Sequence, residues 1–281
     1  MRSALTPSFG TGAFAEVQLS ADQFATVAAM IYDHAGINMR AGKEGLVRAR
    51  LSKRLRALAL TDYDEYLAFV SSPSGRSEFT HMVDALTTNK TSFLREVAHF
   101  EFLRDQVFPT LTGPVRLWSA GCSSGEEPYT MAMLLNETFS NARARDIRIL
   151  ATDISERVLG TASTGAYNAD AMTDVPAAWM QKYWKRHRSD TRDVYQAGAE
   201  LRRMIHFAKL NLMDKWPMKG PFDAILCRNV MIYFDKPTQE KLVARYHALL
   251  KPGGFLFVGH SESLTGITHG FRYVQPAVYV K

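Results

Sequence analysis

Between residues 20 and 87 the apolar positions recur at helical spacing, whereas beyond about residue 115 they form short uninterrupted runs that alternate with helical stretches. Phe24, Val27, Ala28 and Ile31 follow Ser20, a good capping residue, and Gly36 supplies a stop, which predicts a first helix. A second is predicted from about Lys43 to Leu60, with Val47, Leu51, Leu55 and Leu58 as one apolar stripe. A third follows Thr61 and Asp62 and carries Tyr66, Leu67 and Val70 until Ser71, Ser72, Pro73, Ser74 and Gly75 break the pattern. A fourth runs from about Glu78 to Thr87. Residues 1 to about 15, rich in Ser, Thr, Gly and Ala without sustained periodicity, read as a disordered lead-in.

The second half predicts strands at Val115–Ala120, Ile147–Thr152, Ile205–Lys209, Phe222–Cys227 and Phe255–Gly259, with helices at Glu126–Phe139 and Lys236–Leu250 between them. Such alternation implies a mostly parallel sheet covered by helices on both faces. A last apolar run, Phe271–Val280, is expected to pair at the sheet edge. The stretch from about Thr164 to Leu201, rich in Arg, Asp and aromatic residues, interrupts the alternation and reads as a small insert. There are no internal repeats.

With 281 residues, 46% of them hydrophobic, the chain can build one large and one small domain. No segment approaches eighteen uninterrupted apolar residues and no secretory leader is evident, so a cytoplasmic protein without membrane insertion is expected. Cys122 and Cys227 stand far apart without metal-ligand spacing, so they are expected as reduced thiols, with no structural zinc. The formal charge of +6 favours an acidic partner, and its placement is more telling than its size. Arg48, Arg50, Lys53, Arg54 and Arg56 all fall on the second helix, either as a docking face or simply as a solvated one. No aromatic residues interleave with them, and the Asn/Asp-Pro-Pro-Tyr signature of base-modifying methyltransferases is missing, which argues against nucleic acid.

Chemistry concentrates where strands end. Trp118-Ser119-Ala120-Gly121-Cys122-Ser123-Ser124-Gly125-Glu126-Glu127 turns a strand into a helix, a place where open α/β sheets bind ligands. A dinucleotide site would show GxGxxG. Here two carboxylates occupy the helix start, where they would repel phosphate, so the turn either takes a phosphate-free ligand with hydroxyls or positive charge, or is only a turn with a capped helix. Asp153, ending the second strand, is placed either to accept ribose hydroxyls or to cap the following helix. Cys227-Arg228-Asn229-Val230-Met231-Ile232-Tyr233-Phe234-Asp235 leaves the fourth strand; Met231, Ile232 and Phe234 read as core, Asn229 and Tyr233 as candidates for the same cleft.

At these residues the chain resembles the CheR family of chemotaxis receptor glutamate methyltransferases. The resemblance runs from about residue 20 to the C-terminus and is carried by Leu86-Thr87-Thr88-Asn89-Lys90-Thr91-Ser92-Phe93-Leu94-Arg95-Glu96, the Ala120-to-Tyr129 turn, Ala151-Thr152-Asp153-Ile154, Asn211-Leu212, the Cys227-to-Asp235 segment, and Leu250-Lys251-Pro252-Gly253-Gly254 through Gly259-His260-Ser261-Glu262. It implies a small all-helical domain (16–76) for receptor docking, a linking segment (77–95) that touches cofactor, and a class I, Rossmann-like α/β methyltransferase domain (96–281) with a small β-subdomain inserted at about 165–204. Carried over position by position, Asn89, Thr91, Arg95, Glu126, Asp153, Asn211, Leu212, Arg228 and Asn229 become cofactor contacts for S-adenosylmethionine, and Arg95 and Tyr233 the side chains nearest the transferred methyl. From the residues alone, Asn89 to Arg95 would read as a surface loop. The implied partner is the cytoplasmic helical region of methyl-accepting receptors, met by a monomer. Some members hold a receptor tether peptide with a Gly-x-Gly loop; Arg188-Ser189-Asp190-Thr191-Arg192-Asp193 with Gly198 alone lacks that element, which predicts direct docking. Two rivals remain: a nicotinamide oxidoreductase, disfavoured by the missing GxGxxG, and a catalytically silent cofactor- or receptor-binding module.

Overall fold

The computed structural model describes residues 17–140, 142, 144–188 and 193–281. The lead-in at 1–15 and the 189–192 part of the tether-loop segment lie outside the described residues. By internal contacts the chain forms two compact units, one of residues up to Ala29 together with Arg40–Leu86, the other of Met30–Met39 together with Thr87–Lys281.

The first unit is helical. It holds α1 (Ala21–Ala35, whose last residues belong to the second unit), α2 (Glu44–Ala57), α3 (Tyr63–Ser71) and α4 (Arg76–Leu86). Asp62 starts α3 by accepting the Asp64 amide, as its side-chain type favours. Val47, Leu51 and Leu55, one stripe on α2, are buried. The contacts group α4 with this unit, where the sequence reading draws a boundary at residue 76 and assigns the rest to a linking segment. A buried acid explains why: Glu78 on α4 accepts two bonds from Arg54 of α2 (2.9 and 2.6 Å) and one from the Tyr66 hydroxyl of α3 (3.0 Å).

Among the described residues the second unit carries ten strands: β1 (Val115–Ala120), β2 (Ile147–Asp153), β3 (Ala166–Asn168), β4 (Trp184–Arg188), β5 (Asp193–Ala197), β6 (Ile205–Lys209), β7 (Phe222–Cys227), β8 (Leu250–Val258), β9 (Arg272–Gln275) and β10 (Val278–Val280). Seven of them form one sheet in the order β6-β2-β1-β7-β8-β10-β9, parallel through β8 and antiparallel at β10 and β9. Helices α5 (Val97–Phe102), α6 (Glu126–Thr138), α7 (Glu156–Thr164), α8 (Ala177–Tyr183), α9 (Ala199–Arg202) and α10 (Lys236–Leu249) complete it.

The uninterrupted apolar runs have a plain cause. Alternate residues of each strand enter different cores: Leu117, Ala224, Leu226 and Phe257 join one, Trp118, Ile225, Cys227 and Leu256 the other. A strand covered on both faces has no polar side to show, and each large side chain so buried contributes about 1.5–3 kcal/mol. The insert is a three-stranded sheet, β3-β5-β4, fixed by Tyr167 and Trp184 packing edge-on against Phe93. Two expectations shift. β8 begins at Leu250, ahead of the Phe255 start expected from the sequence, and the last run folds back so that β10 lies inside and β9 takes the edge.

This order places the site. The chain leaves β1 toward β2 on one side and later lays β7 on the other, so the loops after β1 and β7 face each other at a topological switch point. They do meet: Gly121 has φ +92°, and a Cβ there would collide with Val230.

Candidate active site

The turn after β1 is built on its own backbone. Gly121 and Cys122 donate to the Thr152 carbonyl (2.8 and 2.9 Å), and Gly125, at φ +99°, opens α6. Asp153 sits beside it, 8% exposed. One carboxylate oxygen accepts the Ser123 amide (2.8 Å), the other the Ser155 amide (3.0 Å). The helix after β2 is capped by Ser155, which accepts from Val158, and not by Asp153. The capping alternative for Asp153 therefore falls, and its carboxylate instead ties the ends of β1 and β2 together. Leu210 donates to the Asp153 carbonyl (2.9 Å), which brings Asn211 to the same edge. The Asn211 side chain donates to the His34 carbonyl (2.6 Å) and accepts from Met213. Leu212 packs its side chain into the core beside Trp118.

The N-cap of α6 is Gly125, so no side chain caps the helix from that position. Glu126 accepts from the Ser124 hydroxyl, and burial raises its pKa above the ordinary carboxylate value despite that bond. Glu127 is also raised by burial, while the nearby Arg228 guanidinium and the Ser119 hydroxyl pull the other way.

Residues 89–96 are no free loop. They cross the sheet end as a strap held at several points: Ser123 donates its hydroxyl to the Asn89 carbonyl (2.8 Å), Leu94 donates to Thr130 (3.3 Å), and Phe93 is buried in the aromatic cluster. Leu94 and Glu96 adopt φ +54° and +58°, a left-handed conformation that costs side-chain-bearing residues energy and persists only where surroundings enforce it. Arg228 does the enforcing. Its guanidinium, 2% exposed, pairs with Glu96 (3.1 Å) and Glu127 (3.0 Å), donates to the Arg95 carbonyl, and lies 5.1 Å from the Phe100 ring centre. Burial alone would raise the Glu96 pKa, but Arg228, the His260 amide and Asn229 outweigh it, and the net shift is downward. Within the strap, Arg95 donates to the Lys90 carbonyl (2.8 Å) and Thr91 is half-buried.

The loop after β7 is fastened from the other side. Asn229, at φ +57°, donates its side-chain amide to Glu96 (3.2 Å). Glu262, 8% exposed, accepts the amides of Asn229 (2.8 Å), Ile232 (3.0 Å) and Gly259. Tyr233 follows, half-buried, its hydroxyl making no hydrogen bond among the described residues. Hydrogen bonds and ion pairs thus tie Asn89 to the turn that holds Ser123 and Asp153, and Arg228 and Asn229 to the Arg95–Glu96 part of the strap; Asn211 reaches the same sheet edge through Leu210, Glu126 bonds Ser124 within its own turn, and Tyr233 follows the loop that Glu262 holds. Sequence reading missed Glu96 and Glu262, which hold these segments, and took Glu127 only as half of the acidic pair that opens α6. Each stands in a stretch that carries the family resemblance, but nothing local marks an acid as buried.

The five basic residues of α2 belong to the first unit, and the structure treats them unequally. Arg54 is committed to Glu78, Arg50 to the Leu86 carbonyl (2.7 Å), and Arg48 donates to Gln18, while Lys53 and Arg56 are exposed. The charged face is narrower than the composition of the helix suggests.

Two buried carboxylates flanked by asparagine side chains suit a ligand bearing hydroxyls and positive charge, and would repel a pyrophosphate. S-adenosylmethionine has ribose hydroxyls, an ammonium and a sulfonium, and no phosphate, so the residues present fit it. Fold and site together define a class I, S-adenosylmethionine-dependent methyltransferase. Residues 89–280 match the family described as CheR methyltransferase, SAM binding domain, and residues 22–87 that described as CheR methyltransferase, all-alpha domain; the chain belongs to the CheR methyltransferase family. Among its relatives, a probable chemotaxis protein methyltransferase of Rhizobium etli is 44% identical over 84% of this chain and 91% of its own length. The chemotaxis protein methyltransferases of Borreliella burgdorferi and Escherichia coli are 38% and 39% identical, covering 94% and 93% of this chain and 96% and 91% of theirs. Among the described residues no helix is long and apolar enough to cross a membrane.

Proposed function

We propose that the enzyme methylates glutamate side chains in the cytoplasmic helical region of chemotaxis receptors. S-adenosylmethionine supplies a methyl group on a sulfonium, which a side-chain carboxylate takes up as a γ-methyl ester, leaving S-adenosylhomocysteine. Within the chain, Asp153 receives the ribose hydroxyls and Glu126 the ammonium. Asn89, Thr91, Asn211, Leu212, Arg228 and Asn229 line the remainder, Arg228 and Leu212 through their backbone, since their side chains are engaged in the ion network and the core. Arg95 and Tyr233 stand nearest the reacting groups.

A glutamate carboxylate is ionised at neutral pH and needs no base to attack. What remains is alignment, worth on the order of 7 kcal/mol or more when the geometry is good. The observation that carries the reading is the Glu96–Asn229 bond. It joins the strap bearing Arg95 to the loop bearing Tyr233, so a cation that can hold a carboxylate and a phenol that can donate to one belong to a single framework. On α2, Lys53 and Arg56 offer an exposed basic face to an acidic helix.

The test uses methyl-labelled S-adenosylmethionine and receptor cytoplasmic fragments. Label should enter the receptor and be released as methanol by mild base. Base-stable label, the mark of N-methylation, would overturn the reading. Calorimetric titration should show binding of S-adenosylmethionine and S-adenosylhomocysteine but not of NAD or NADP.

A further inference from the structure

Beside the strap lies a group that the methyl-transfer reading leaves without work. His99, on α5, is 1% exposed, yet among the described residues neither ring nitrogen has a hydrogen-bond partner. Leaving a buried imidazole unpaired is costly, and such a group invites a ligand. Its surroundings narrow the choice. Nδ1 faces a Glu96 carboxylate oxygen at 3.5 Å, and the ring of His260, in the loop after β8, stands edge-on with its centre 4.8 Å away. The ligand atoms of Glu96, His99 and His260 all lie within 4.8 Å of one another.

We propose that these three side chains form a divalent transition-metal site of the zinc class, one carboxylate and two imidazoles with a fourth position open. Zinc takes nitrogen at about 2.0–2.1 Å and carboxylate oxygen at about 2.0–2.2 Å, so ligand atoms in a tetrahedral site sit about 3.4 Å apart. The Glu96–His99 edge already has that length. The third ligand is the adaptable one, because His260 is exposed and follows Gly259, and a modest swing of its ring closes the triangle. The local charge also suits a cation: Glu96 and Glu127 share one guanidinium, Arg228, which keeps Glu127 and the Arg95 carbonyl as partners when Glu96 turns an oxygen to the ion.

The site shares Glu96 with Asn229. The oxygen that faces His99 is the one that accepts from Arg228, while Asn229 binds the other, so a metal there competes with Arg228 for the carboxylate that anchors the strap and slows methyl transfer. This second consequence rests on the proposed function; binding itself does not.

The test is a titration of the untagged full-length protein with Co²⁺, read by visible d–d absorption, and with Zn²⁺, read by calorimetry, against His260→Ala. Because His260 is exposed, that variant should fold normally, which its circular dichroism verifies. One equivalent of metal bound by the parent, with affinity at least tenfold lower in His260→Ala, is expected; Glu96→Gln should lose it as well. No stoichiometric binding, or equal binding by His260→Ala, overturns the site. In the activity arm, Zn²⁺ should inhibit the parent and spare His260→Ala. Binding without inhibition would retain the site and refute its coupling to catalysis.

Discussion

A single carboxylate, Glu126, sets the pH behaviour expected of cofactor binding. Burial lifts its pKa, and a bound ammonium requires it ionised. Affinity for S-adenosylmethionine should therefore fall as pH drops through that raised value, in a window above the ordinary glutamate range, and Glu126→Gln should abolish the dependence; calorimetry across pH 4.5–8 reads both. Asp153→Ala should weaken binding by about 1–3 kcal/mol, the scale of lost hydrogen bonds to a charged group. It should also lower the melting temperature without ligand, because the same carboxylate anchors the Ser123 and Ser155 amides. Unchanged affinity would remove Asp153 from the site. These two acids could be picked out in the sequence because Asp153 ends an apolar strand and Glu126 opens the helix that follows the glycine turn. Glu96 and Glu262 could not: an acid looks like surface until its partners, here Arg228 and the amides of the loop after β7, are brought to it across more than a hundred residues or from another strand.

Between residues, the unit that matters is the loop after β7, shaped by one buried acid. Glu262 collects three backbone amides and thereby fixes Asn229 in its left-handed conformation and aims Tyr233. Glu262→Ala should lower kcat about 10- to 100-fold and also weaken S-adenosylmethionine binding, because it frees Asn229, and Glu262→Gln should recover part of both. Helix α2 offers a second contrast. Arg54→Glu sets a like charge against buried Glu78 and should cost about 3 kcal/mol of stability, read by urea unfolding. Lys53→Glu with Arg56→Glu should leave stability within about 0.5 kcal/mol and raise the KM for receptor. If that KM is unmoved, α2 is not the docking face. The sequence pattern gave the helical character of α2 correctly, but periodicity alone does not reveal which of its arginines point inward to a partner on α4.

At the scale of the molecule, the two compact units should unfold as two transitions in calorimetry. S-adenosylhomocysteine at a hundredfold excess over Kd should stabilise only the second unit, by about 2.7 kcal/mol. The alternation of strands and helices made the parallel sheet readable; the inward placement of β10 was not, because a hairpin's two strands look equally apolar whichever lies inside. The strap adds a consequence for the making of the protein. Residues 89–96 leave the ribosome before any strand of the sheet, yet the groups that hold them reach as far along the chain as His260. At about 5–20 residues per second, the strap waits on the order of ten to thirty seconds for its last partner. A translating ribosome that halts short of that point releases a chain with its glycine turn formed and its strap unfastened, so competence arrives only once the loop beyond β8 has been made.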